Sequence, residues 1–301
     1  WVNIMYGCNN FCSYCIVPYV RGRERSRKPE NILAEVKKLV AEGYKEITLL
    51  GQNVDSYGSD GSTKTTFAGL LDAVASIEGK FRLRFMTSHP KDFGEDVVEV
   101  MEKHRKICRL VHLPVQSGSD AVLKAMNRRY TSGKYLSEIE LLKMRLPEAE
   151  VTTDIIVGFP GETEADYLAT EELVKKADFA SAFTFVFSPR SGTKAASMEG
   201  QISEDVQKDR IMRLVELVNS LTRKKSEKYV GRTVEILCED YDEKKGLYLG
   251  RDEFGRMGYF GSERNVVGEF VEVKITRANG ISLYGEIAAE KENETKEENG
   301  I

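Results

Sequence analysis

The chain has 301 residues, 41% hydrophobic and 31% charged, enough for one large domain and a small one. With 44 Lys and Arg against 48 Asp and Glu the net charge is −4, so no global basic field advertises a polyanion partner, and any such contact must come from a local patch. No apolar run is long enough to span a bilayer, no secretory leader is visible, and five Cys suit a reducing compartment, so the expectation is a cytoplasmic protein with no membrane contact.

Residues 1–5 form a short apolar run, read as a first strand. Since the chain starts inside an element, an upstream segment is expected. Next comes Gly7-Cys8-Asn9-Asn10-Phe11-Cys12-Ser13-Tyr14-Cys15, with three thiols spaced C-x3-C-x2-C. Thiolates suit zinc, copper(I) or an iron–sulfur cluster. A structural zinc site wants four closed ligands, and the nearest other candidates, His89 and Cys108, lie far along the chain. A cubane 4Fe–4S cluster held by only three thiolates keeps one iron open, and an open position is where a metal site does chemistry. The competing readings are a zinc knuckle completed from a distance and three buried thiols without metal. Arg21, Arg23, Arg25 and Arg27 follow in alternation. In an extended segment they share one edge and suit phosphate or carboxylate; the competing reading is a solvated loop paired with local Glu.

The apolar spacing predicts a helix over residues 32–40 closed by Gly43, then a strand at 47–50 running into Gly51-Gln52-Asn53. A helix at 70–77 precedes a strand at 81–87, which meets Ser88-His89-Pro90. Val97, Val98 and Met101 mark a helix, and a strand at 110–115 ends in Gln116-Ser117-Gly118-Ser119. Helices at 121–126 and 134–144 lead to a strand at 151–157, which runs into Gly158-Phe159-Pro160-Gly161-Glu162. A helix at 164–176, a strand at 181–187 ending in Ser188-Pro189-Arg190, and a long helix at 205–228 complete the pattern. Six strand-then-helix units imply a parallel sheet in an α/β domain, a partial (β/α)6 TIM-like barrel spanning residues 1–228. Every polar or Gly-rich cluster lies at the C-terminal end of a strand, the face on which such barrels build active sites. A doubly wound open sheet is the alternative, but no G-x-G-x-x-G follows an early strand.

From residue 229 the helical period gives way to short alternating runs separated by turn residues. They predict a small antiparallel β-barrel, OB-like in size, over residues 229–289. Tyr248, Arg251, Phe254, Arg256, Tyr259, Phe260 and Arg264 mix aromatics with Arg, as base-stacking surfaces do, although alternate aromatics also fill barrel cores. Residues 290–301 read as an acidic, disordered tail.

The cysteine loop, with Tyr14 just ahead of its third Cys, resembles the radical S-adenosylmethionine (SAM) superfamily. Gly51-Gln52-Asn53-Val54-Asp55-Ser56-Tyr57, Leu113-Pro114-Val115-Gln116-Ser117-Gly118-Ser119 and Asp154-Ile155-Ile156-Val157-Gly158-Phe159-Pro160-Gly161-Glu162-Thr163 are similar to the methylthiotransferases within it. The resemblance covers nearly the whole chain and extends to the RNA-binding TRAM domain at the end. It implies that Cys8, Cys12 and Cys15 hold a 4Fe–4S cluster whose open iron binds SAM and whose electron cleaves it to a 5′-deoxyadenosyl radical. Tyr14, the backbone of Gly51, Gln52 and Asn53, Gln116, Ser117, Asp154, Val157 and Arg190 are the candidates for contacting SAM. Turns and caps compete for Asn53 and Ser117, and Asp154 stands in an otherwise apolar strand, where a charge must be paired or face the cavity. Arg21, Arg23, Arg25, Arg251, Arg256 and Arg264 are the RNA candidates. His89, His104 and His112 read as ordinary core or surface histidines.

The implied reaction adds a methylthio group to C2 of N6-isopentenyladenosine beside the tRNA anticodon. Its implied partners are tRNA and an electron donor such as flavodoxin or ferredoxin, with the protein a monomer. Sibling enzymes act on threonylcarbamoyl-adenosine or on a ribosomal-protein aspartate; Asn9-Asn10 and Gly51-Gln52-Asn53-Val54 favour the isopentenyl substrate. An RNA-binding module with a structural Cys cluster is the rival from another class. The family holds a second, auxiliary 4Fe–4S cluster on three Cys of an N-terminal domain, and this sequence has no second Cys triad.

Overall fold

A computed structural model of the chain describes residues 1–288, so the expected acidic tail lies outside the described residues. Contacts divide the chain into a larger unit, Trp1–Lys225 with Glu253–Gly255, and a smaller one, Ser226–Asp252 with the residues from Arg256 on.

The larger unit opens with β1 (Val2–Asn3) and β2 (Met5–Tyr6), then α1 (Val17–Arg21), β3 (Arg25–Ser26), α2 (Pro29–Ala41) and β4 (Glu46–Leu50). β1 runs parallel to β4, whereas β2 pairs antiparallel with β3. Residues 1–5, expected as one strand, therefore serve two partners. The Ile4 N–H donates to the Leu50 carbonyl, but the Ile4 carbonyl accepts from Arg27, and the chain leaves the sheet there. The arginine strip is shortened for a related reason. Arg21 ends α1 instead of continuing an extended segment, and only Arg23, Arg25 and Arg27 alternate around β3.

The strand-and-helix alternation continues with α3 (Phe67–Ala75), β5 (Arg82–Met86), α4 (Glu95–Lys103), β6 (Leu110–His112), α5 (Asp120–Ala125), α6 (Ser132–Arg145), β7 (Glu150–Val157), α7 (Glu164–Ala177), β8 (Ser181–Val186) and α8 (Glu204–Glu227). The strands pair in the orders β1-β4-β5 and β6-β7-β8, all parallel. A parallel bridge between Leu83 and Ile107, just ahead of β6, joins the two sets into the six-stranded partial barrel expected from the sequence. Helix starts are set by side chains that accept orphan N–H groups: Thr66 for α3, Ser119 for α5, Thr131 for α6, and a full capping box between Thr163 and Asp166 for α7.

Alternation sorts the strand side chains into two faces. Ile47, Leu49, Leu83, Phe85, Val151 and Ile155 lie fully or almost fully buried in the helix-facing core, with Phe85 edge-on to Phe67 of α3 at 5.4 Å. The opposite, concave face carries Met86, His112, Asp154, Ile156, Phe183 and Phe185. The register supports this sorting, since His112 lies beside Thr152, Asp154 beside Phe183, and Ile156 beside Phe185. No helix among the described residues is long and apolar enough to cross a membrane.

The smaller unit is a closed five-stranded barrel of β9 (Thr233–Asp242), β10 (Leu247–Arg251), β11 (Met257–Gly261), β12 (Phe270–Asn279) and β13 (Ser282–Ile287), in the order β10-β11-β13-β12-β9. The pairings are antiparallel except β11 with β13, which is parallel and closes the barrel. Ile236, Phe260, Val273, Ile275 and Leu283 fill it.

Candidate active site

The three thiols stand in the loop between β2 and α1, on the side where the strands end. Few of the bonds that shape this loop come from within it. Gly7 adopts φ +77°, and a Cβ there would lie 2.1 Å from the Arg23 carbonyl oxygen, so only glycine fits. The Cys8 N–H donates to Gly22, and Asn9 is clamped by the buried Glu24, which accepts from its backbone at 3.0 Å and its amide at 3.3 Å. The end of α5 supplies the rest. Ser13 donates through its N–H to the Met126 carbonyl and through its hydroxyl to Ala125, and the Asn127 amide donates to the carbonyls of Asn10 and Phe11. The Ala195 N–H donates to the Ser13 carbonyl.

Cys12 is buried and Cys8 and Cys15 are half-buried, all three as free thiols. Burial pushes the Cys8 thiol up to about 11 and raises that of Cys15, although Arg128 and Arg190 pull the latter back. Arg190 is therefore close enough to act electrostatically on the loop. Arg128 donates from Nη1 to the Cys12 sulfur at 3.4 Å. Among the described residues no three His, Cys, Asp or Glu side chains converge on a single ion, as a mononuclear zinc site requires. A cubane asks for something else, one thiolate on each of three separate irons, and the three loop thiols fit that donor set.

The strand tips border the loop's side of the barrel. The Gly51 N–H donates to Met86, tying the tip of β4 to that of β5, and Gln52 is exposed. Asn53 is buried; its amide donates to Asp92 at 2.7 Å and its carbonyl accepts from the Ser56 hydroxyl and N–H, while its side-chain Oδ1 has no partner among the described residues. Gln116 takes φ +71° and exchanges backbone bonds with Asp154 and Ile156, prolonging β6 beside β7. Ser117 is a correction: it is fully buried, and its hydroxyl contacts Thr170 of α7 and accepts from the Ser119 N–H. Val157 is another, since its side chain belongs to the helix-facing core. Tyr14 packs beside Phe159 and Phe187, and burial raises its phenol. Asp154 has a partner the sequence did not assign. His112 holds its Nε2 3.6 Å from the carboxylate, its Nδ1 3.0 Å from Thr152, and its ring against Phe183.

The arginines proposed for RNA divide. Arg21, Arg23 and Arg25 are exposed, Arg23 lying over the Phe11 ring at 4.9 Å. Arg251 and Arg264 are exposed but each is paired with a carboxylate, Arg251 donating from Nη1 to both oxygens of Glu239 and Arg264 making a two-nitrogen bidentate pair with Glu269. Arg256 is a correction: it is buried, 4.3 Å over the Tyr229 ring. The sequence reading missed an aromatic pair in the barrel, Tyr259 stacked on Tyr284 at 5.1 Å, with Lys245 over the first ring and Arg277 over the second. It also missed Arg128, Asn127 and Glu24. The first two follow a helix instead of a strand, where no rule of the barrel directs attention.

The family model of the radical SAM superfamily matches residues 2–174, and that of the TRAM domain residues 227–288. The tRNA-2-methylthio-N(6)-dimethylallyladenosine synthase of Clostridium botulinum strain Langeland is 56% identical over 289 residues, which cover 95% of this chain and 64% of the relative. The protein of that name from Carboxydothermus hydrogenoformans is 51% identical over 286 residues, covering 95% and 65%. This chain thus spans somewhat less than two thirds of the length of these relatives. Coproporphyrinogen III oxidase from Escherichia coli, a radical SAM enzyme, shares the fold with a TM-score of 0.54 at 12% identity, over 91% of this chain and 65% of that one.

Proposed function

The chain belongs to the radical SAM superfamily, and on that premise we propose that it acts in tRNA methylthiolation, adding a methylthio group to C2 of N6-isopentenyladenosine beside the anticodon. The observation that carries the proposal is the three-thiol loop stationed at the strand ends, whose three thiolates suit a cubane with one open iron. When bound, the cluster supplies the electron that breaks a carbon–sulfur bond of SAM.

Everything else falls to this chain's residues. Cys8, Cys12 and Cys15 hold three irons. The backbone at Gly51, Gln52 and Asn53, together with Gln116 and Asp154, orients SAM, Tyr14 supports the loop from behind, and Arg190 balances negative charge near Cys15. The C2–H bond of the proposed substrate is strong and unactivated, so the protein's share is positioning and exclusion of water. The concave face suits the isopentenyl substrate. Phe183 and Phe185, 56% and 50% exposed, offer apolar surface to an apolar N6 substituent, whereas the threonylcarbamoyl group of the sibling substrate carries a carboxylate. The catalytic domain comprises residues 1–228 and the RNA-binding barrel 229–289. In the barrel, Tyr259 and Tyr284 with their cations form the stacking surface, and Arg21, Arg23 and Arg25 supply phosphate contacts.

The electron comes from a flavodoxin- or ferredoxin-type donor, and the protein works as a cytoplasmic monomer. Completing methylthiolation calls for the family's auxiliary cluster. The remaining cysteines, Cys108 and Cys238, are single buried thiols, so for the 301-residue chain alone the proposal extends to SAM cleavage and RNA binding. Anaerobic reconstitution tests it: about four irons per chain are expected, with 5′-deoxyadenosine formed from SAM and dithionite. One zinc per chain with no 5′-deoxyadenosine refutes it.

A further inference from the structure

We propose that Arg128 sets the reduction potential of the cluster held by the cysteine loop, as a positioning residue acting through the Cys12 sulfur; the inference rests on the cluster reading above. The argument starts from an electrostatic cost. Arg128 is 8% exposed, and among the described residues no carboxylate pairs with it. Its guanidinium instead uses three different acceptors: Nη1 donates to Cys12 Sγ at 3.4 Å, Nη2 to the Pro114 carbonyl at 2.8 Å, and Nε to the Tyr130 hydroxyl at 2.8 Å. Tyr130 holds that geometry by donating to the Val115 carbonyl, and its ring lies 5.1 Å from the guanidinium carbon. A buried charge without a counter-ion is costly, and a methionine would fill the same space without that cost.

The anionic group within reach is the Cys12 thiolate and whatever it ligates. A four-iron cluster gains one negative charge on reduction, so a fixed cation in a low-dielectric setting favours the reduced form. Donors to ligand sulfurs act in the same sense. The electron arrives from an external one-electron reductant, no atom is transferred, and the guanidinium remains protonated throughout. Pro114 and Val115 lie just past the end of β6 and Cys12 in the loop, so Arg128 also fixes the ligand sulfur relative to the strand tips.

The test is a mediator titration of the reconstituted chain, followed by electron paramagnetic resonance of the reduced cluster, on wild type, Arg128→Met and Arg128→Lys, with iron counted in each. At a fixed potential the reduced-to-oxidised ratio should fall about tenfold in R128M, a downward shift of about 59 mV for one electron. In R128K, which keeps the charge, it should stay within about threefold of wild type. A fully loaded R128M at the wild-type potential overturns the proposal, because a merely structural arginine would leave the potential alone. If R128M does not load iron, Arg128→Gln, which keeps amide donors but not the charge, decides, and a wild-type potential there overturns the proposal. Failure of both neutral variants to load assigns Arg128 to structure and overturns it as well. A wild-type chain that binds no four-iron cluster instead sinks the reading of the site, a failure visible before any variant is made.

Discussion

Replacing Glu162 with Ala should destabilise the larger unit by about 3–5 kcal/mol. The magnitude follows from what the change leaves behind. Glu162, in the turn between β7 and α7, has a side chain 2% exposed, and Arg210 of α8 is 5% exposed. Oε1 of Glu162 accepts from Arg210 Nη1 at 2.9 Å and from the Gly158 N–H at 3.0 Å. Without the carboxylate, Arg210 keeps only the Glu162 carbonyl at 3.1 Å and a half-exposed Glu164 carboxylate 3.5 Å from its Nε. A buried guanidinium is then left nearly uncompensated, which accounts for most of the cost, and the Gly158 N–H loses its acceptor for about another 1 kcal/mol. Burial raises the Glu162 carboxyl, while the Gly158 N–H and Arg210 pull it back, so the pair is expensive to bury even when intact. Glu162→Ala combined with Arg210→Met should therefore cost less than the sum of the single changes by at least about 1.5 kcal/mol. Urea unfolding followed by circular dichroism measures all three. A single-mutant cost below about 1 kcal/mol, or strict additivity, would refute the reasoning.

Three further outcomes can be checked on the same protein. A Cβ at Gly118 would lie 2.5 Å from the Ala169 carbonyl oxygen and 2.6 Å from Thr170 Cα, both backbone of α7, so Gly118→Ala should lower the urea midpoint by about 1–3 kcal/mol equivalent; a midpoint at the wild-type value would contradict the packing. Burial, ahead of the nearby Asp92 and Asp96 charges, pushes the Asp55 carboxyl from 3.8 up to about 8, so between these values the folded state holds a proton that the unfolded state has released. That contribution to stability is complete below pH 3.8 and declines as pH rises through 8. His89, lowered by burial to about 2, acts in the opposite sense and only below its unfolded value of 6.5, while Glu138, raised by burial to about 7, acts in the same sense as Asp55, so the wild type and Asp55→Asn are compared between pH 6.5 and pH 8, where the variant should show the flatter slope. On the proposed substrate, Phe183→Ala with Phe185→Ala should cut the preference for an isopentenylated anticodon stem-loop over the unmodified one by about tenfold in a fluorescence binding titration, with affinity for the unmodified RNA unchanged.

Much of the architecture was legible because two periodicities carry it. Strands of the larger unit announce themselves as apolar runs ending in polar clusters, and the barrel rule then places those clusters on one side. What escaped was set by partners distant in sequence. That residues 1–5 divide at Ile4 depends on Arg27 reaching back to its carbonyl. Ser117 reads as a strand-tip hydroxyl available to a ligand until Thr170 of α7 meets it. Arg256 reads as a surface cation, but β11 begins just after it, and the side chain comes to rest over Tyr229. The Tyr259–Tyr284 pair was hidden because β11 and β13 run parallel, a pairing that simple alternation along antiparallel strands does not produce.

The same distinction bears on how the cysteine loop is held. Its spacing is local, yet its shape is imposed by Ala125, Met126, Asn127 and Arg128, more than a hundred residues away, and by the Ala195 N–H. A loop fixed by such distant contacts takes its shape only when α5 has packed. The ligand geometry therefore belongs to the folded unit and not to the nine-residue peptide. Burial raises the Cys8 and Cys15 thiols, so the folded loop keeps protons that metal must displace. Each thiolate bound then releases a proton, and loading must become more favourable as pH rises. An excised loop peptide, with ordinary thiols and no α5 against it, would lack both the geometry and that raised proton barrier.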